Sequence, residues 1–254
     1  MTSPGAPEWL AGPARPWLPH GEIHLWRGSL SGPDPTYLVA TLSEDERLRA
    51  GHYHRPGDRD RFIAARGLLR TTIARYVGLS PQDVRFRYGQ HGKPALAGTA
   101  LDEPSFSVAH SGELVLIAVT RGREIGVDVE RIRPAGDADG IAAIVFSDRE
   151  RAVLRSLPAA ERSCAFFTGW VRKEACAKVD GEGLAASLWE IETVHGDLTS
   201  PLLITLPNRA RTRVIVQSLV PRADYVAAVA VEAALGLVPR YHRWTIDDSR
   251  PLAE

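Results

Sequence analysis

The stretch Ile125-Gly126-Val127-Asp128-Val129-Glu130 alternates apolar and acidic side chains. In a strand, residues i and i+2 share a face, so Asp128 and Glu130 project together while Val127 and Val129 enter a core. Adjacent carboxylates repel and raise each other's pKa. A shared divalent cation removes that cost, and magnesium suits it because it takes one or two carboxylates together with substrate phosphates. The alternative is a solvated strand face with ordinary acids. Farther along, Trp170–Lys178 has helical periodicity and sets Glu174 and Lys178 four apart, on one face. On a surface such a pair contributes about a few tenths of a kcal/mol. Here the neighbours Phe166, Phe167, Val171, Ala175 and Ala177 are apolar, and charges in apolar surroundings need a partner or a purpose.

A second set of residues could hold phosphate. Arg61, Arg66 and Arg70 fall at helical spacings, with Arg47 and Arg49 on the helix before them. A solvated helix face is the commoner fate of such arginines. In Gly89-Gln90-His91-Gly92-Lys93-Pro94 the glycines permit a tight turn and close backbone approach, which presents Lys93 at a loop tip. In Ser107-Val108-Ala109-His110-Ser111-Gly112 a strand runs into a turn, gathering His110, the Ser111 hydroxyl and backbone donors in a place that suits an anion.

These residues must be positioned by repeated elements. Leu42-Ser43-Glu44-Asp45-Glu46-Arg47 resembles Phe146-Ser147-Asp148-Arg149-Glu150-Arg151, each with a serine followed three residues later by glutamate, a helix-capping signal. An offset of 104 residues separates these copies, the helix-like segments starting at Phe62 and Phe166, and the strand-like Glu22–Arg27 and Gly126–Arg131. Strands are expected at Ser105–Ala109 and Leu114–Thr120 around a Ser111-Gly112 turn, and at Leu202–Leu206, Arg213–Leu219 and Tyr225–Val231. The expectation is an α+β protein with an N-terminal lobe over residues 21–124 and a C-terminal lobe over 125–239 that carries the acidic residues. Residues 1–20, with five prolines and two glycines, read as a flexible arm, and 240–254 as a polar tail.

The chain of 254 residues, 44% hydrophobic and 24% charged, can bury a proper core. Its 31 basic and 31 acidic residues leave no global field to attract nucleic acid. No apolar run spans a membrane and no secretory signal is visible, so a cytoplasmic enzyme is expected. Cys164 and Cys176 read as two buried reduced thiols. No Gly-x-x-x-x-Gly-Lys-Ser/Thr loop is present, which weighs against an ordinary kinase or ATPase.

The ordered set Gly92-Lys93-Pro94, Ala109-His110-Ser111, Ile125–Glu130, Phe146–Glu150, Trp170–Ala175 and Gly181-Glu182-Gly183-Leu184 resembles the surfactin-synthetase-activating (Sfp-like) 4′-phosphopantetheinyl transferases. The resemblance implies a monomer of two similar lobes related by pseudo-twofold symmetry, each a small antiparallel sheet with packed helices. It implies transfer of phosphopantetheine from coenzyme A to a serine of an acyl or peptidyl carrier domain. On its pattern Asp128, Glu130 and Glu174 would ligate Mg2+. Lys178 would contact the pyrophosphate, and Glu150 would serve as general base. Arg49, Arg61, Lys93 and His110 would hold the nucleotide end, with Ser111 beside them. Ala109 departs from the family's common serine, so a phosphate contact there must come from backbone or Ser111. The apolar run Ile141–Phe146 is expected to help dock the carrier, or else to begin a core-facing helix.

Overall fold

The computed structural model describes residues 8–31, 35–98, 103–133, 138–181, 188–194, 197–207, 210–234 and 240–246. Glu182, Gly183 and Leu184 of the last motif, and both chain ends, lie outside them. The elements are β1 (Leu10–Ala11), β2 (Glu22–Ser29), α1 (Pro35–Thr41), α2 (Glu44–Gly51), α3 (Pro56–Val77), β3 (Phe86–Tyr88), β4 (Pro94–Leu96), β5 (Pro104–Ser111) and β6 (Leu114–Arg121). There follow β7 (Ile125–Arg131), α4 (Ala138–Val145), α5 (Asp148–Ser156), α6 (Ala159–Asp180), β8 (Leu202–Thr205), β9 (Arg213–Leu219), β10 (Tyr225–Glu232) and β11 (Arg240–Thr245). None of the described helices is long and apolar enough to cross a membrane.

The chain divides into two compact units of mixed α+β structure. The first holds residues 8–87, 95–122 and the C-terminal strand; the second holds 88–94 and 123–238. In the first, the strand order is β1-β11-β2-β6-β5, with β2, β6 and β5 antiparallel. In the second it is β7-β10-β9-β8, antiparallel throughout. The trio β2-β6-β5 and the trio β7-β10-β9 thus share one topology, as the internal repeat requires.

Each unit lays one 22-residue helix on its sheet, and each helix stops at a left-handed glycine, Gly78 (φ 67°) or Gly181 (φ 66°). Glycine adopts that conformation without a Cβ clash. The α3 helix brings Leu68, Leu69 and Ile73 into a core with Trp26, Phe106, Ile117 and Val119. The α6 helix brings Phe166, Phe167, Val171, Ala175 and Val179 into a core with Val216, Ala228 and Ala230. Both capping boxes form, and in both the glutamate is swallowed by the fold. Glu46 accepts from Arg66 Nε (2.8 Å), Arg70 Nε and the Ser43 backbone N–H. Arg70 is buried and also donates to the carbonyls of Pro81 and Val84, so Arg66 and Arg70 form an internal clamp, while Arg61 stays on the solvated surface.

The polar C-terminal residues depart most from expectation. Arg240–Thr245 form β11, parallel to β2, with His242 beside His24 and Trp244 beside Trp26. The strand forms by pairing with a partner more than two hundred residues away in sequence, which is why no local pattern announces it. The N-terminal arm is likewise partly tied down: Leu10–Ala11 pair with β11, and Leu18 is buried. Of the two thiols, Cys176 is buried but Cys164 is exposed.

Candidate active site

Within the second unit, β7 and α6 place the acidic residues. Val127 and Val129 are fully buried, and Asp128 and Glu130 stand on the other side of the strand. The helix can approach because residue 126 is glycine. A Cβ there would lie 2.0 Å from the carbonyl oxygen of Ala175 and 3.0 Å from Cβ of Lys178. Glycine inside a strand marks such a close backbone approach. Ala175 follows Glu174, so this contact sets the height of Glu174 and Lys178 over the strand. Gly126→Ala should therefore cost about 3 kcal/mol or more, read as a lower melting temperature. It should also lower transfer activity, by displacing both side chains. An unchanged melting temperature would show that the helix does not rest there.

Lys178 Nζ donates to Asp128 Oδ1 (2.8 Å) and to the carbonyl of Val127 (3.0 Å). Asp128 Oδ2 is buried without a hydrogen-bond partner. The Asp128 carboxyl is pushed up to about 6, chiefly by burial. Lys178 opposes the shift, and the negative charges of Glu174 and Glu130 add to it. Burial also raises the Glu174 carboxyl, with Lys178 opposing and Glu130 reinforcing. Asp128, Glu130 and Glu174 are thus one electrostatically coupled group. Desolvation dominates over the mutual repulsion that the alternating sequence suggests, because the strand is sunk beneath α6. Among the described residues, the only trio of metal-type side chains with ligand atoms within 4.8 Å of one another is Glu22, His24 and His242. The three acids stand wider apart than that, with the Lys178 ammonium held on one of them.

The donor set nevertheless fits a hard dication. It is all oxygen, carries three negative charges, and includes a buried carboxylate oxygen that nothing in the protein satisfies.

Glu150 does not join this group. One oxygen accepts from Lys173 Nζ (2.7 Å) and the Ser147 backbone N–H; the other accepts from the backbone N–H groups of Thr193 (2.6 Å) and Val194 (3.0 Å). Both Glu150 and Lys173 are fully buried. The expected general base is therefore a structural anchor: its lone pairs are committed and no solvent reaches it. Lys173 and Glu174 are consecutive on the helix, roughly 100° apart, so one faces the anchor while the other is coupled to Asp128. Next to Lys173, Arg172 is also buried, donating to Ser218 Oγ (2.7 Å) and to the carbonyls of Thr193, Leu198 and Ser200. Sequence reasoning passed over Arg172, Lys173 and Gly126; an interior strand glycine and adjacent cations in an apolar helix were the available signals.

Of the remaining expected residues, Lys93 belongs to the second unit, on the loop turned by Gly92 (φ 78°), and pairs with Glu124 (2.8 Å). Arg49, Arg61, His110 and Ser111 belong to the first unit. Arg61 makes an exposed pair with Asp58 (2.8 Å), and the Arg49 guanidinium lies over the Phe62 ring. His110 is exposed at the end of β5. Exposed ion pairs of this kind are weak and leave the cation exchangeable toward a ligand.

Two family models cover most of the chain: the 4′-phosphopantetheinyl transferase superfamily over residues 124–230, and the 4′-phosphopantetheinyl transferase N-terminal domain over residues 26–122. The chain is 39% identical over 236 residues to the 4′-phosphopantetheinyl transferase HetI of Nostoc sp., covering 92% of this chain and 97% of that one. It is 30% identical over 159 residues to a 4′-phosphopantetheinyl transferase of Bacillus subtilis (63% and 69% covered), and 34% over 137 residues to AcpT of Salmonella typhi (54% and 66%). The chain belongs to the 4′-phosphopantetheinyl transferase superfamily. It is an enzyme that transfers phosphopantetheine to carrier proteins, and the two matched regions follow the two structural units.

Proposed function

We propose that the enzyme takes phosphopantetheine from coenzyme A in a magnesium-dependent reaction, releasing adenosine 3′,5′-bisphosphate. Its acceptors would be carrier domains of polyketide, nonribosomal peptide or fatty-acid synthesis. The observation that carries the magnesium assignment is the buried, unsatisfied Asp128 Oδ2 within a coupled group of three carboxylates. Asp128, Glu130 and Glu174 would hold the ion. When bound, it would neutralise charge on the pyrophosphate under attack.

The carrier serine oxygen forms a bond to phosphorus as the bond from that phosphorus to the adenosine bisphosphate oxygen breaks. The serine proton cannot go to Glu150. Glu174, half-buried rather than sealed and with an oxygen to spare beside the ion, would take it instead. Lys178, partly exposed beside Asp128, would balance the negative charge of the departing bisphosphate. Arg49, Arg61, Lys93, His110 and Ser111 would grip the nucleotide end.

The carrier would dock on α4. Ile141 and Ile144, three apart and so on one helix face, are exposed, Ile144 by 74%, while Ala142, Val145 and Phe146 are buried. Arg149, exposed at the start of α5, adds a cation suited to an acidic carrier helix. The test is incubation with coenzyme A, Mg2+ and an apo carrier domain. A carrier mass gain of one phosphopantetheine, abolished by chelator, is expected; gain that persists in chelator refutes the metal. In the same assay Ile144→Asp should raise KM for carrier roughly tenfold with kcat unchanged. An unaltered KM places docking elsewhere.

A further inference from the structure

In the first unit, remote from the acids in sequence, Glu22 and His24 share a face of β2, and the parallel register sets His242 of β11 directly beside His24. Glu22 Oε2 lies 3.0 Å from His242 Nε2 and 3.6 Å from His24 Nε2, and the three ligand atoms all lie within 4.8 Å of one another. A zinc-type ion with bonds of 2.0–2.2 Å in a tetrahedral shell holds its ligand atoms about 3.3–3.5 Å apart; the distances of 3.0 and 3.6 Å bracket that value, so small side-chain shifts would admit the ion. Two imidazoles thus converge on one carboxylate oxygen, His242 at hydrogen-bond distance and His24 just beyond it.

The surroundings are those of a supported site. His24 is almost wholly buried, and its Nδ1 lies 2.8 Å from the Tyr76 hydroxyl, which also accepts from Trp26 Nε1 (2.7 Å). An outer partner of this kind fixes the ring orientation, with Nε2 turned toward Glu22. Trp244 packs against His24 at 4.3 Å between ring centroids and against His242 at 5.7 Å. The His242 side chain is 43% exposed, so an ion could enter from that side.

We propose that Glu22, His24 and His242 form a second metal site for a zinc-class dication, with a solvent molecule as fourth ligand, and that it clamps β11 to β2. Two nitrogens and one carboxylate favour such an ion over magnesium, which prefers oxygen. The full chain, stripped with chelator and kept in excess Mg2+ to satisfy the oxygen site, would be dialysed against Zn2+. A parallel sample would receive Co2+ as an optical probe. One Zn2+ per chain is expected, with the visible bands of four-coordinate cobalt and a raised melting temperature. His242→Ala, at a half-exposed position, and the isosteric Glu22→Gln should each weaken Zn2+ at least about tenfold, with Asp128→Asn leaving it unchanged. Wild-type protein that takes up no Zn2+, or both first-unit variants binding as tightly as wild type, would overturn the site.

Discussion

Replacing Asp128 by asparagine should leave a folded protein that transfers phosphopantetheine about 10³-fold more slowly and melts higher than wild type at pH 8. The loss of rate follows from removing the most buried member of the carboxylate group, since charge neutralisation at the pyrophosphate supplies several kcal/mol. The gain in stability follows from the raised pKa. Asp128 titrates near 6 in the fold and at 3.8 as an ordinary carboxyl. A carboxyl whose folded pKa is raised favours the fold in its protonated form. That contribution is complete below pH 4 and is lost as pH rises through 6. Above pH 7 the charged form costs on the order of 2–3 kcal/mol, which asparagine avoids. For a chain of this size each kcal/mol moves the melting temperature by about 2–4 °C. Melting curves of metal-free wild type and Asp128→Asn should therefore converge near pH 4 and separate by several degrees at pH 8. A gap that is constant with pH, or reversed in sign, would refute the buried-carboxylate account.

Glu150→Ala should unfold much of what Asp128→Asn leaves intact. Truncation strands the buried Lys173 ammonium and leaves the N–H groups of Ser147, Thr193 and Val194 without their acceptor. Removing one partner of a buried pair costs about 3–5 kcal/mol, or about 6–20 °C at that conversion. A double replacement, Glu150→Leu with Lys173→Met, removes both charges and should recover a large part of the loss, because well-packed apolar groups often replace a buried pair without penalty. A general base would behave in the opposite way. Glu150→Ala would then keep its melting temperature and lose only kcat, and that outcome would restore Glu150 to the chemistry.

Local physics made much of this legible from residue types alone. The two Ser-x-x-Glu signals fold as capping boxes, and the alternation of Val127, Asp128, Val129 and Glu130 is a strand with its valines in the core. The common offset of 104 residues reflects two units with matching strand topology and matching long helices. What escaped was long-range. A charged residue in a first helical turn looks available for catalysis. Only the fold reveals that Glu150 meets Lys173 and the Thr193–Val194 backbone, just as Glu46 meets Arg66 and Arg70. The same holds for Arg240–Thr245, whose half-buried residues show no clean alternation and whose partner strand opens the first unit. Gly126 was visible as a glycine, but its meaning depends on the carbonyl of Ala175 arriving from a helix about fifty residues later.

The central claim is that Glu174, from a helix, shares one ion with Asp128 and Glu130, from a strand. Calorimetric titration of Mg2+ into the full chain with coenzyme A present, for wild type beside Glu174→Gln, addresses it most directly. Wild type should bind one Mg2+ per chain, and Glu174→Gln should weaken it at least about tenfold. Equal affinity in the two proteins would contradict the shared ion.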